Sequence, residues 1–492
     1  MLVGSLLLTA CAGPGVGRSG NARAGGTIEA AVAPSRQPVD PAVATRPAAL
    51  EALWLVYTPP LTYKRREGKG GLKLIPGLAE DLPDVSRDGR AYSFRMRAGL
   101  HYPDGTPVRA SDFAHTVRRA RFLSAGARRL FADVARIDAR DGSRSVTVTL
   151  KRPDPAFPYA LASSYAGLVP ARTPLRPAGR RPPPGLGPYK LVATTPDGGF
   201  TLRRNKRFQL PGISAGNLDQ ITARPFADAT TAARQVIAGR IDYMQERPPL
   251  ALLPELRSKY SDRYAEYPSL AMRYLIVSGG PPLDRLRVRR AIAYAIDESR
   301  IARLSHGLVT PTCNLLAPQL PGYRRLSPCP WGNPNGSPDL VKARALAESS
   351  SRPAPITVVA PRGDSVGRYF ARALRTLGFE AELSPTPRRG AGEVSLAVLS
   401  PPAPDAADAL EGLATRFDRG LAALSARARA EPDQAKRDTL AAALDKTLVS
   451  RALALPYGEE LRTTFVSERL DLQNCARFHP LYGNDYSAFC LK

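Results

Sequence analysis

Apolar and polar positions alternate weakly through TIEAAV at 27–32 and strictly through YSFRMR at 92–97 and VTVTL at 146–150. A period of two predicts strands with one face buried. Residues 49–57 change to helical spacing through Leu50, Leu53 and Trp54, with Tyr57 a turn further on, and Pro59-Pro60 stops the run. Phe113, Val117 and Ala120 fall on one face of a second helix, expected to be capped by Ser111 or Asp112. Val288, Ala291, Ile292 and Ala295 form the apolar face of a third. Asp104-Gly105 predicts a tight turn with positive φ. Gly185 and Gly187 are expected where the chain turns sharply before Tyr189.

Composition narrows the classes. The chain has 492 residues, a soft prior of about three domains. Its 43% hydrophobic content suits a globular protein, and no run approaches the ~18 apolar residues of a membrane span. The 48 prolines and 40 glycines, without a repeat, predict many turns and connections. Net charge is +26. Such a balance fits nucleic acid or an anionic membrane surface, but arginine far outnumbers lysine and alanine, proline and glycine abound, which is also the mark of GC-rich coding. The basic runs, such as Arg118-Arg119 and Arg289-Arg290, are short and adjoin no nucleic-acid motif. No nucleic-acid partner is expected.

The N-terminus, MLVGSLLLTAC, has the length of a secretory apolar segment. Leu8-Thr9-Ala10-Cys11 resembles a bacterial lipobox, which implies a signal peptide at 1–10, cleavage before Cys11 and a lipid on its sulfur. No basic residue precedes the apolar run, so a start further upstream is expected. Residues 11–25, mostly Gly, Ala, Arg and Ser, read as a flexible tether to the membrane. Beyond Cys11 remain Cys313, Cys329, Cys475 and Cys490, an even number suited to an oxidising compartment. Sequence-local pairing, Cys313 with Cys329 and Cys475 with Cys490, would close two loops worth up to ~3 kcal/mol each. A zinc site is the rival; without Cys-x-x-Cys and with His101, His115, His306 and His479 scattered, disulfides are favoured and no metal or cofactor is expected.

GLAE at 77–80, YSFRMRAGLHYPDGTPV at 92–108 and ASDF at 110–113 together resemble the signature block of the family 5 extracellular solute-binding proteins, the dipeptide, oligopeptide and nickel-binding group of ABC importers. GLGPY at 185–189, VRRAIAYAID at 288–297 and LGFEAEL at 377–383 continue the likeness in order, from about Gly25 to Tyr457. The resemblance implies an α/β, two-lobed periplasmic-binding fold with an inserted domain. The first lobe would comprise 26–57, 185–271 and 455–492, the insert 58–184 and the second lobe 272–454, with strands crossing near 269–276 and 453–457. It further implies a monomer without catalytic activity that shuts over a small solute, most simply a peptide, and docks on a permease driven by an ATPase.

Where peptide-binding members carry a Trp-containing strand and an aspartate for the peptide amine, this chain reads VSLAVLSPPAPD at 394–405, without the Trp. Asp405 is the candidate anchor. The family's Phe-Asn after the crossing is Val277-Ser278 here. Tyr57, Tyr165, Tyr274 and Tyr457 lie near the expected lobe junctions and are candidate cleft liners, as aromatic rings combine rigid area with a polar tip. Two rivals stand beside this reading. An enzyme would need convergent groups, and no Gly-x-Ser-x-Gly, His-Glu-x-x-His or P-loop occurs. A cell-envelope interaction or sensing protein that has lost transport would keep the fold without a solute.

Overall fold

The computed structural model describes residues 25–179, 181–278, 280–348, 355–388 and 392–492. Cys11, the leader and the tether up to residue 24 lie outside them. Two strands, Tyr264–Ser278 and Ala454–Val466, pair antiparallel in the middle of an eleven-stranded sheet. On one flank follow Gly392–Leu399, Ile356–Val359 and Ala381–Ser384; on the other, Tyr243–Met244, Thr27–Val32, Gln220–Pro225, Phe200–Arg204 and Tyr189–Thr194. The sheet thus runs through both lobes. The two long strands occupy the place in the sheet where the crossing is expected.

The weak alternation of Thr27–Val32 has a physical cause. The strand pairs in parallel with Gln220–Pro225, and both of its faces are covered. Ile28, Ala30 and Val32 enter one core and Ala31 the core on the other side. The strictly alternating segments behave differently. Ala91–Arg95 and Ser145–Leu150 pair antiparallel in the inserted domain, burying Tyr92, Phe94, Val146, Val148 and Leu150. On the other face the Ser93 and Thr147 hydroxyls meet at 3.0 Å. Helix Ala110–Leu123 covers the apolar face with Phe113, Val117 and Ala120, and the Phe113 ring meets Phe94 edge-on at 5.5 Å.

That helix corrects the expected cap. Arg109 holds the N-cap position, and Asp112, three residues on, folds back to accept the Arg109 N–H at 3.0 Å. The same carboxylate accepts from the Tyr102 hydroxyl and the Ala171 N–H. Gly105 has φ +87°, as its turn requires. Gly185 and Gly187 are needed for closeness rather than for a turn. A Cβ there would lie 2.2 Å from the Val56 carbonyl oxygen and 2.0 Å from that of Leu55. The Asp40 turn is locked to the insert by Arg119, whose guanidinium grips both carboxylate oxygens at 2.7 and 2.8 Å.

The sulfurs divide. Cys475 and Cys490 form a disulfide that closes a loop within the C-terminal segment. Cys313 and Cys329 are thiols in hydrogen-bond contact, not the disulfide expected of them. Among the described residues one donor group is tight enough for a metal, Asp471 with Cys475 and Cys490, and its two sulfurs are spent in the disulfide. Also among the described residues, no helix is long and apolar enough to cross a membrane.

Candidate functional site

Pairing between the two long strands is interrupted between Pro268 and Met272. Before the break, Tyr264 to Pro268 oppose Phe465 to Leu461; after it, Met272 to Ser278 also pair with Gly392–Leu399 of the second lobe. The Ser269 hydroxyl stitches the irregularity, donating to the Glu460 carbonyl at 2.7 Å and accepting the Ala271 N–H at 3.1 Å. A bulge of this kind bends a strand and re-aims its neighbours, and here it sits where the lobes meet. Leu72 and Leu481 cross from the first lobe to pack on the second-lobe core around Leu270 and Leu315.

Against this bulge lies a cavity of about 220 Å³. The first lobe lines it with Pro47, Leu50 and Glu51, with Gln245, and with Phe478 and residues 480–484 of the C-terminal segment. The crossing strands add Ser269, Leu270, Ala271, Arg462 and Thr463, and the second lobe adds Ser400. Larger hollows of about 600 and 510 Å³ open on the Pro-rich return of the insert and inside the second lobe. The first lies away from the long strands, while the second also takes Glu459 from Ala454–Val466.

Glu51 rises from helix Pro47–Val56, whose other nine residues are apolar. Its carboxylate accepts the Asn484 N–H at 3.1 Å and the Tyr486 hydroxyl. The Asn484 amide in turn donates to the Tyr243 hydroxyl at 2.8 Å and accepts from Thr464. Burial drives the Glu51 carboxyl up to about 8; the hydrogen bonds and the more distant Arg462 charge offset this only in part. Two further polar atoms of the lining, Gln245 Oε1 and Thr463 Oγ1, are buried without a hydrogen-bond partner. Arg462 is half exposed, and its nearest carboxylate oxygen, on Glu460, is 3.8 Å away.

His479 shapes the wall at 480–484. Nε2 donates to the Gly71 carbonyl at 2.9 Å, while Nδ1 accepts the Leu481 and Tyr482 N–H groups at 3.2 and 3.3 Å. These partners require the neutral ring, and burial lowers its pKa to about 4. Trp54 stacks on Tyr482 at 4.8 Å and holds the loop from beneath.

None of the five residues expected in the cleft lines this cavity. Tyr57 is buried and donates to the Pro183 carbonyl at 2.7 Å. Tyr165 packs on the core of the insert and accepts the Ser124 hydroxyl at 3.3 Å. Tyr274 and Tyr457 sit in two different second-lobe cores. Asp405 caps helix Ala406–Phe417 through the Asp408 N–H and accepts Arg437 Nε at 2.9 Å. Its lone pairs point into protein. Within the segment 394–405, Ser400 lines the cavity. Glu51 carried a readable signal, a single acid in an apolar helix. Gln245, Ser269 and Thr463 carried none.

The sequence profile described as bacterial extracellular solute-binding proteins, family 5 Middle, matches residues 73–416. Glutathione-binding protein GsiB of Escherichia coli (strain K12) is 29% identical over 290 residues, covering 57% of this chain and 54% of that protein. The chain therefore spans about half the length of the curated relatives it matches. Among solved structures, Clavulanic acid biosynthesis oligopeptide binding protein 2 superposes with a TM-score of 0.82 at 22% identity, over 95% of this chain and 96% of that one. The dipeptide binding protein from Pseudoalteromonas sp. SM9913 in complex with Met-Leu does so with 0.75 at 16% identity, over 95% and 100%. At those identities the likeness is one of fold. Two α/β lobes on one sheet, joined through a pair of crossing strands and carrying an inserted domain, agree with the matched profile, and the chain belongs to the family 5 bacterial extracellular solute-binding proteins.

Proposed function

We propose that this protein captures a small peptide between its lobes, outside the cytoplasm, and delivers it to the permease of an ABC importer. The cavity at the strand bulge carries the reading. It is walled by both lobes and by the strands that connect them, and it holds two buried polar atoms with no partner in the protein. Buried polar groups are ordinarily satisfied, so orphans on residues that line a cavity favour a polar guest. A volume below the ~300 Å³ of drug-sized sites suits a compact solute of one or two residues. Relatives named for glutathione, for an oligopeptide and for a dipeptide support the peptide class.

The solute is bound without covalent chemistry. Closure follows from its contacts with both lobes; moving the lobes from 1:99 to 99:1 closed needs about 5.5 kcal/mol of preference for the closed form. Lipid on Cys11 would hold the monomer at the membrane, where permease and ATPase act. The test is mass spectrometry of the solute that leaves the natively purified protein on denaturation, with thermal unfolding in the presence of the identified compound. A peptide is expected, stabilising by about 2.7 kcal/mol at a hundredfold excess over Kd. A sugar or a metal chelate recovered instead, or no shift with any peptide, would overturn the proposal.

A further inference from the structure

We infer that Glu51 receives the protonated amino terminus of the captured peptide, which thus enters with its N-terminal end against the first lobe. This rests on the peptide-capture reading above and names the orientation and the charged group that the site demands. Three residues that line the cavity carry buried acceptors: the Glu51 carboxylate, Gln245 Oε1 and Thr463 Oγ1. Those last two atoms have no partner; Glu51 accepts from the Asn484 N–H, the Tyr486 hydroxyl and the Gln245 side chain, where a carboxylate can accept about four hydrogen bonds. An ammonium group brings three N–H donors and a positive charge, the complement of that set. Among the described residues no basic side chain forms an ion pair with Glu51, and the Arg462 charge acts on it only from a distance. Asp405, by contrast, is already taken by Arg437. Arg462 lines the same cavity with its guanidinium only loosely held by Glu460, and it is placed to meet the peptide's carboxylate.

Unpaired, the buried Glu51 holds its proton up to about pH 8. The groups that face it are Tyr486 and Asn484 from the C-terminal segment, Gln245 and Tyr243 from the short strand side, and Arg462 from the crossing strand. Burial keeps both tyrosines protonated at neutral pH. Amine capture therefore ionises Glu51, releases up to one proton per peptide and tightens up to about tenfold for each pH unit between 6 and 8.

The experiment presents the full protein with an equimolar mixture of dipeptides lacking Lys and Arg, and with the same mixture N-acetylated, and reads the retained peptides by native mass spectrometry. Retention of free dipeptides, at least tenfold weaker retention of the acetylated ones and a tenfold or greater loss of the free ones in Glu51→Gln are expected. The acetylation arm uses the wild-type protein, so it decides even if the variant fails to fold. Equal retention of both mixtures overturns the role of Glu51 and leaves peptide capture standing. Retention of neither by the wild type overturns peptide capture itself, and the amine receptor with it.

Discussion

Asp405 in the second lobe and Glu51 in the first are buried alike, each 4% exposed. Their surroundings differ. Asp405 meets a guanidinium that is itself 2% exposed, and its other oxygen caps a helix. A carboxylate in that state is a structural part, like Asp40 in the grip of Arg119. Glu51 has hydrogen bonds but no counter-charge, and it borders a cavity. The pair teaches that burial alone does not mark a binding acid. What sets Glu51 apart from Asp405 is burial without a counter-charge, beside a cavity.

The sharpest way to break this contrast is to unpair Asp405. Arg437→Met should cost about 3–5 kcal/mol in urea unfolding, since it strands a buried charge, and Arg437→Met with Asp405→Asn should recover part of it. A loss below about 1 kcal/mol would put the pair on a level with a surface ion pair and remove the distinction.

The next effect is one of pH. Glu51 has its folded pKa raised to about 8 from 4.5, so its contribution to stability is complete below 4.5 and is lost as pH rises through 8. His479, lowered to about 4 from 6.5, contributes above 6.5 and loses this as pH falls through 4. Between 4.5 and 6.5 the two oppose each other. From 6.5 to 8 the Glu51 slope stands without that opposition, worth roughly 2 kcal/mol at ~1.4 kcal/mol per unit. Stability of the solute-free protein should decline over that window, and Glu51→Gln should remove about that much of the decline, as read by denaturant unfolding at each pH. Equal slopes in the two proteins would sink the assignment.

The smallest effect concerns Tyr57. Tyr57→Phe should cost about 1 kcal/mol for the lost bond to Pro183 and leave solute retention unchanged. Loss of retention at unchanged stability would return Tyr57 to the cleft.

Much of the fold was legible because periodicity reports which side of an element is covered. The helix face of Phe113, Val117 and Ala120 and the strand face of Val146, Val148 and Leu150 are buried as their spacing predicts. Misreadings arose where a residue type has two physical uses. An aspartate near a helix start can cap from the N-cap or fold back from the third position, as Asp112 does. A glycine can allow a turn or a close approach, and Gly185 and Gly187 do the second. The site was mostly illegible. Tyrosines near the crossings were plausible liners, yet Tyr57, Tyr274 and Tyr457 are consumed by cores.

The sequence by itself determined the family, the local elements and the scaffold faces, because these depend on neighbours a few residues apart. Only the tertiary structure decided which of these two acids meets a counter-charge. Glu51 owes its state to Asn484 and Tyr486, more than 430 positions away, and Asp405 owes its own to Arg437, 32 positions on. Whether a buried charge finds a partner is a property of those distant contacts, and no local pattern encodes it.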